Sequence, residues 1–350
     1  MRRWTLALLL GFSATVRAQD LLAPLPVRDQ FLLNNGFFFF EPDDARALAP
    51  DDLRVSLNGA EANTFAKSSW ISTNLAGENG RANAATELAK SRFQGVGPLF
   101  LADGETHRFE LTIRRGFGSH TEFGLTVPVS RIGGGWSDNL IEAIHRALGI
   151  GNAGRNTLRQ NSETIYIQTA SVSYFRDRSA GYSLGDIALT GKYELTALED
   201  KHIAMALEGA VELPTGNART LAGSGSFDGG VQMLVSRELG LTRIHASIGI
   251  LRLGGDRIVG TSAQIVTTNT IAASRMIDER TSATVQLTMS ESPFRRAGLA
   301  ELTRRSNQLS AGFQHAIGQS MTAYVALIEN LLNYENSADA GLAWGITRRF

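Results

Sequence analysis

The chain ends in SADAGLAWGITRRF, and that stretch alternates to its last residue. Ala338, Ala340, Leu342, Trp344, Ile346 and Phe350 occupy every second position, broken only by Arg348. Asp339, Gly341, Ala343, Gly345, Thr347 and Arg349 lie between them. Successive side chains of a strand point to opposite faces, so one face is apolar and the other small or polar. This is the dyad of a strand with lipid on one side and a barrel lumen on the other. A last strand closing on an aromatic residue resembles the assembly signal of bacterial outer-membrane barrels. Phe350, Ile346, Trp344 and Leu342 would carry that signal, with the barrel-assembly machinery as the expected partner.

The other end supports export. Met1-Arg2-Arg3 is basic, Trp4 to Phe12 is apolar, and Val16-Arg17-Ala18 suits cleavage after Ala18. The apolar run is roughly half the ~20 residues a spanning helix needs, so residues 1–18 are expected to be a signal peptide. The chain contains no cysteine, which excludes disulfides, thiolate metal sites, thiol catalysis and a lipid anchor at the cleavage site. Basic and acidic residues balance at 34 each. That argues against a nucleic-acid binder, which would be basic. It also argues against a pore made strongly selective by bulk charge.

Period-two segments recur along the chain. Phe109, Leu111 and Ile113 alternate with Glu110, Thr112 and Arg114; Ile203, Met205 and Leu207 alternate with Ala204, Ala206 and Glu208. Similar runs follow near 123–129, 187–195, 231–235, 244–250, 285–289 and 309–313, and weaker ones at 52–62, 263–277 and 320–331. Tight turns are expected at 116–119, 198–200, 239–240, 277–279 and 318–319. Longer loops are expected near 63–104, 132–182, 214–225, 253–262, 292–304 and 332–337. Short and long connections alternate, as periplasmic turns and extracellular loops do in outer-membrane barrels. A soluble β-sandwich would not require that alternation. The fold class expected is all-β: an antiparallel transmembrane barrel of about twelve strands over residues 51–350, both termini periplasmic, with a short helix in one long extracellular loop.

With the apolar face in lipid, the other face lines the lumen. The candidates are Glu110, Arg114, Glu122, Asp186, Lys192, Glu194, Glu208, Glu212, Arg243 and His245. Charges of both signs in a low-dielectric wall should pair, either as rigidifying ion pairs or as the lining of a narrow polar channel. Residues 19–50 precede the first strand, with Pro24, Pro26, Pro42 and Pro50 breaking regular structure. The run Phe37–Phe40 is too apolar to hang in the periplasm, so this segment either plugs the lumen or packs under the rim. In the second long loop, Ser137 or Asp138 can cap a helix that Gly149 and Gly151 can end. Leu140, Ile141, Ile144 and Leu148 share its apolar face, opposite Glu142, His145 and Arg146. Such a helix would fold into the lumen, cross the mouth as a lid, or pack on the wall.

Chemical motifs are sparse. His107, His120, His145, His202, His245 and His315 show no metal-ligand spacing, so a metal would require convergence from separate strands. No cofactor motif is present; a pair such as Asp186 and His202 on adjacent strands is the best enzymatic candidate.

Several ordered segments carry a family resemblance: Pro24–Gln30, Leu101–Thr106, Arg115–Gly118 before Phe123–Leu125, Trp136–Arg155, Gly185-Asp186, Glu291–Phe294 and Ile328–Asn330. Together they resemble a proteobacterial outer-membrane family of unknown function, domain of unknown function 3187, whose members commonly carry Asp where this chain has Asn330. The resemblance implies an outer-membrane barrel and no particular substrate. The expectation is a monomer among outer-membrane lipid and lipopolysaccharide, acting as a narrow or gated passive channel for a small solute or in envelope maintenance. An adhesin or receptor acting through its extracellular loops and a membrane-embedded hydrolase are the alternatives.

Overall fold

Alternation of one-sided apolar segments leaves each strand with a polar backbone edge that only closure can satisfy in lipid, and closure is what the chain achieves. The structure, a computed structural model, describes residues 18–74, 97–149, 155, 158–169, 173–195, 202–256, 261–331 and 336–350. The expected leader therefore falls almost wholly outside the described residues, as do most of the loop after the first strand and the expected turn at 198–200.

Fifteen strands are described: β1 (Leu53–Lys67), β2 (Leu99–Phe117), β3 (Thr121–Gly133), β4 (Thr164–Gln168), β5 (Ser173–Arg176), β6 (Ser183–Leu184), β7 (Ile187–Glu194) and β8 (Ile203–Leu213), then β9 (Asp228–Leu239), β10 (Thr242–Asp256), β11 (Thr261–Met276), β12 (Thr281–Ser290), β13 (Ser306–Ile317), β14 (Met321–Asn330) and β15 (Ala340–Arg349). Twelve of them, all except β4, β5 and β6, form an antiparallel barrel in which each strand pairs with the next. It closes where β15 meets β1, from Arg54↔Arg349 to Asn63↔Ala340, which leaves the barrel no open edge. Short helices α1 (Ala18–Leu21), α2 (Ser69–Asn74) and α3 (Asp138–Leu148) complete the described elements, besides 3-10 turns.

The two faces separate as the alternation requires. On β14, Leu327 is 67% exposed and its neighbour Ile328 only 1%. The outward face carries Leu111, Ile113, Leu207, Ile248 and Phe313. Near the short turns it carries Phe117, Phe123 and Tyr193; Phe117 and Phe123 meet edge to face at 5.5 Å, forming part of an interfacial aromatic girdle.

Three features differ from the sequence reading. The segment 253–262 is not a long loop: β10 and β11 continue as a hairpin to Asp256↔Thr261, since Gly254 and Gly255 are tolerated in the ladder. β1 runs five residues past the expected end at 62, to Lys67, because β2 and the loop after β3 cover its outer face. That loop also contains strands: β4 extends the sheet from the upper part of β2, β5 pairs with β4, and β6 pairs with β3. Between β3 and its neighbours the register passes from Thr126↔Ala188 to Val129↔Leu184. Two residues on β3 thus face three on the other side, and Pro128 sits at this bulge. Its missing N–H costs little there, while its carbonyl accepts from Gly185 N at 2.8 Å.

Candidate functional site: the occluded lumen

Residues 18–50 fill the barrel. They rise along one arm, turn at a 3-10 segment, Leu32–Asn34, and descend along a second arm to Leu53. Backbone groups with no ladder of their own must find partners, and the inward side chains of the wall supply them. On the rising arm, Gln286 accepts from Leu25 N at 3.0 Å, and Gln308 accepts from Gln30 N at 2.9 Å and donates to Arg28 O at 2.9 Å. Gln314 donates to Ala23 O at 2.6 Å and Ser274 to Ala23 O at 3.2 Å, while Ser282 donates to Leu21 O. At the turn, Asn35 donates to Ser130 Oγ at 2.9 Å and to Leu221 O at 2.7 Å. On the descending arm, Glu122 accepts from Leu48 N at 2.9 Å and Glu194 from Ala47 N at 3.0 Å.

His245 ties the two arms together. Its Nε2 lies 2.7 Å from Leu22 O on the rising arm, so that nitrogen donates. Its Nδ1 lies 2.8 Å from Ser236 Oγ, and Ser236 Oγ accepts from Ala45 N on the descending arm at 3.0 Å. Ser236 Oγ thus links the imidazole to the descending arm.

The lumen has two zones. At the extracellular half, Phe31, Leu32, Leu33 and Phe37–Phe40 pack with Phe100, Ile132, Leu251, Leu253, Val266, Phe294, Leu299 and Leu302 into one buried cluster. This septum is apolar. Toward the short turns the contacts are ionic. Asp43 sits 2.6 Å from Arg114, 2.7 Å from Lys192 and 3.7 Å from Arg54. Asp44 sits 2.6 Å from Arg243, which also pairs with Glu238. Burial opposes the Asp43 charge, but Lys192, Arg114 and Arg54 more than offset it and hold its carboxyl well below the usual carboxylate range. Glu41 is the reverse case: burial and then the Glu110 carboxylate push it well above the usual carboxylate range.

Two cavities flank this segment. One, of ≈ 130 Å³, lies between the two arms and the wall of β1, β2, β14 and β15. The other, of ≈ 40 Å³, reaches Arg28, Asp186, Glu208 and Glu212. Glu41 and Arg114 line both.

All the proposed lumen residues face inward. Glu110, Arg114, Glu122, Asp186, Lys192, Glu208, Glu212, Arg243 and His245 are buried, and Glu194 is half-buried. Apart from Glu212, whose Oε2 has no hydrogen-bond partner, they form ion pairs and hydrogen bonds rather than a bare channel wall. Arg114 bridges Glu122 at 3.1 Å and Glu208 at 3.4 Å, and Arg108 meets Glu110 at 2.6 Å. Asp186 accepts from Gly216 N at 2.6 Å and Ser224 N at 2.8 Å. It stands at the opposite end of its strand pair from His202, since Ile187 pairs with Leu213 and Glu194 with Ala206. The structure does not bring that pair together. The sequence reading missed the glutamines and serines that seat the segment. It also missed the septum's wall, which was detectable as apolar residues (Ile132, Leu251, Leu253, Val266) at inward positions.

Helix α3 differs from its expected packing. Ile141 and Glu142 are buried whereas Leu140 is 49% exposed, so the buried face is rotated. The side chains of Ile144 and Leu148 lie outside the described residues. Glu142 turns inward to accept from Gln160 at 3.0 Å. The helix start is anchored on the outer face of β1 and β2, where Asn63 donates to Ser137 and Asp138, both at 3.1 Å. Gly149, at φ 69°, follows its last turn, the left-handed position a helix C-terminus favours.

Comparison with known proteins agrees with this architecture. The family model described as "Protein of unknown function (DUF3187)" matches residues 82–350. Among solved structures, the chain is similar to the COG4313 outer membrane channel from Pseudomonas putida F1, at 10% identity and TM-score 0.53, covering 89% of this chain and 100% of that one. The KdgM porin aligns at 7% identity and TM-score 0.42, over 85% of this chain and 99% of that one. No curated protein matches in sequence. The molecule is an integral outer-membrane β-barrel of twelve strands.

Proposed function

The chain belongs to the DUF3187 family of proteins of unknown function, and from that premise we propose that it is a gated channel for small solutes, its gate being its own residues 18–50. The observation that carries the reading is the meeting of the two cavities at Glu41 and Arg114. A polar path enters from the short-turn end, and the Glu41 side chain of the docked segment and the Arg114 guanidinium of its seat interrupt it. Above them the phenylalanine septum bars ions, which pay a large desolvation cost in an apolar constriction.

Nothing covalent holds the segment. Its polar partners are glutamine, serine and charged side chains, which water can satisfy after undocking at a net loss of order 1 kcal/mol per bond; the larger opposing cost is exposure of the apolar septum. Once it withdraws, the wall presents Glu110, Arg114, Glu122, Lys192, Glu208 and Arg243, of both signs. A twelve-strand barrel is narrower than the ~16-stranded porins with wide aqueous channels, which limits passage to small solutes.

The test uses the absence of native cysteine. Ala45→Cys with Ser236→Cys puts two thiols at the contact between the descending arm and β9, where Ala45 N donates to Ser236 Oγ, and a disulfide formed there would tether the arm. In planar bilayers the reduced variant of the mature chain is expected to show discrete conductance steps, and the oxidised variant none. Equal conductance in the two states, with the disulfide verified by mass, would sink the gate.

A further inference from the structure

We propose a divalent-metal site on the outer face of the barrel wall, formed by Glu61, Glu105 and His107. It stands apart from the lumen and does not depend on the channel reading. Glu61 on β1 is directly opposite His107 on β2, and Glu105 lies two residues away on the same face of β2. One oxygen or ring nitrogen from each lies within 4.8 Å of the others. Glu61 Oε2 and His107 Nδ1 are already 3.6 Å apart. Tetrahedral zinc with bonds of ~2.1 Å sets neighbouring ligand atoms about 3.4 Å apart.

Each carboxylate divides its labour in the way metal ligands do. Glu61 Oε1 accepts from the indole Nε1 of Trp136, which leaves Oε2 turned to the imidazole. Glu105 Oε1 accepts from Trp136 N at 3.0 Å, Ser137 N at 2.6 Å, the Ser137 hydroxyl and Asn63 Nδ2 at 3.3 Å. Its other oxygen, Oε2, is buried in a side chain of zero exposure and has no hydrogen-bond partner. Such an atom costs of order 1–3 kcal/mol, more for a charged group, unless something compensates it. The outer interactions hold Oε1 of each acid, leaving Glu61 Oε2 beside the imidazole and Glu105 Oε2 unpaired, as supporting partners of metal ligands do.

Placement agrees. The three residues lie on the face that carries Phe109 and Trp344, rings 5.9 Å apart, and come just beyond them along β2, past the apolar band where charged outward side chains are excluded. Glu61 and His107 keep side-chain exposures of 32% and 20%, so an ion can enter and retain water as a fourth ligand. One imidazole with two carboxylates favours a borderline ion of the zinc, cobalt or nickel type over calcium, which takes oxygen ligands only.

The test is calorimetric titration of zinc into the full mature chain in detergent after treatment with a chelator. One ion per chain is expected, with affinity reduced at least the ~10–100-fold typical of lost supporting partners in His107→Ala and in Glu105→Gln. His315→Ala, at a short turn away from the site, should bind as the native chain does. Cobalt loaded in place of zinc should give intense visible bands that vanish in His107→Ala. Heat-modifiable migration verifies that each barrel is folded; should Glu105→Gln fail that check, Glu61→Gln takes its place. The absence of saturable binding to the native chain would overturn the site, as would affinity unchanged in the folded variants.

Discussion

Asp43→Ala is expected to release the gate. The carboxylate is the shared counterion of Arg114, Lys192 and Arg54, and Lys192 is among the most buried side chains in the molecule. Without the Asp43 carboxylate, the three cations share only Glu122 and Glu208, so the cost is about 3–4 kcal/mol, the low end for breaking a buried pair. Undocking relieves that cost by admitting water to Lys192 and Arg114. The docked-to-undocked ratio should therefore fall by a factor of about 10²–10³. Asp43 belongs to no strand, so the barrel ladder is untouched and heat-modifiable migration should persist. The measurement is open probability in planar bilayers, together with protease sensitivity near residues 40–50 in detergent. Native-like values for both would remove Asp43 from the gate.

Phe294→Ala is expected to weaken the septum from the opposite side. Phe294 belongs to the connection between β12 and β13, is 1% exposed and meets Phe37 edge to face at 5.8 Å. Truncating a buried phenylalanine costs about 3–5 kcal/mol in lost burial and cavity, and an edge-to-face pair contributes about 0.5–1.5 kcal/mol of its own. The cost falls on the docked segment and the loop above it. Amide exchange should therefore accelerate at residues 31–40 far more than in β8 to β11. Uniform acceleration over the strands, or a stability loss below about 1 kcal/mol, would contradict this assignment.

The wall of the barrel was legible because lipid and lumen impose a strict period of two, and each strand reports it locally. Glu110, Lys192, Glu208 and Arg243 could be assigned inward from their immediate neighbours alone. The filling of the barrel was less legible. Leu25 is held by Gln286 and Gln30 by Gln308; these contacts link distant parts of the chain and leave no mark on local pattern. The proline-broken segment announced that it was not a strand, and its phenylalanines that they were buried, but not against what. Leu251 and Leu253 violate the polar inward rule and, taken with Phe37–Phe40, were the available clue to the septum. The cluster of Glu61, Glu105 and His107 arises from the β1–β2 register, which no residue spacing within one strand reveals.

The filling segment enters and leaves through the same mouth, descending directly into the strand that seals the barrel. Its tip is therefore a finger in a glove: among the described residues no part of this segment passes through the ring and out the other end, so the segment is not threaded. Synthesis delivers this segment before any strand of the barrel, yet its seat exists only after the final strand has closed on the first. The order of translation and the order of maturation are thus reversed. The barrel can be completed around water and occupied afterwards, and the same unthreaded route allows withdrawal without breaking a single rung of the wall.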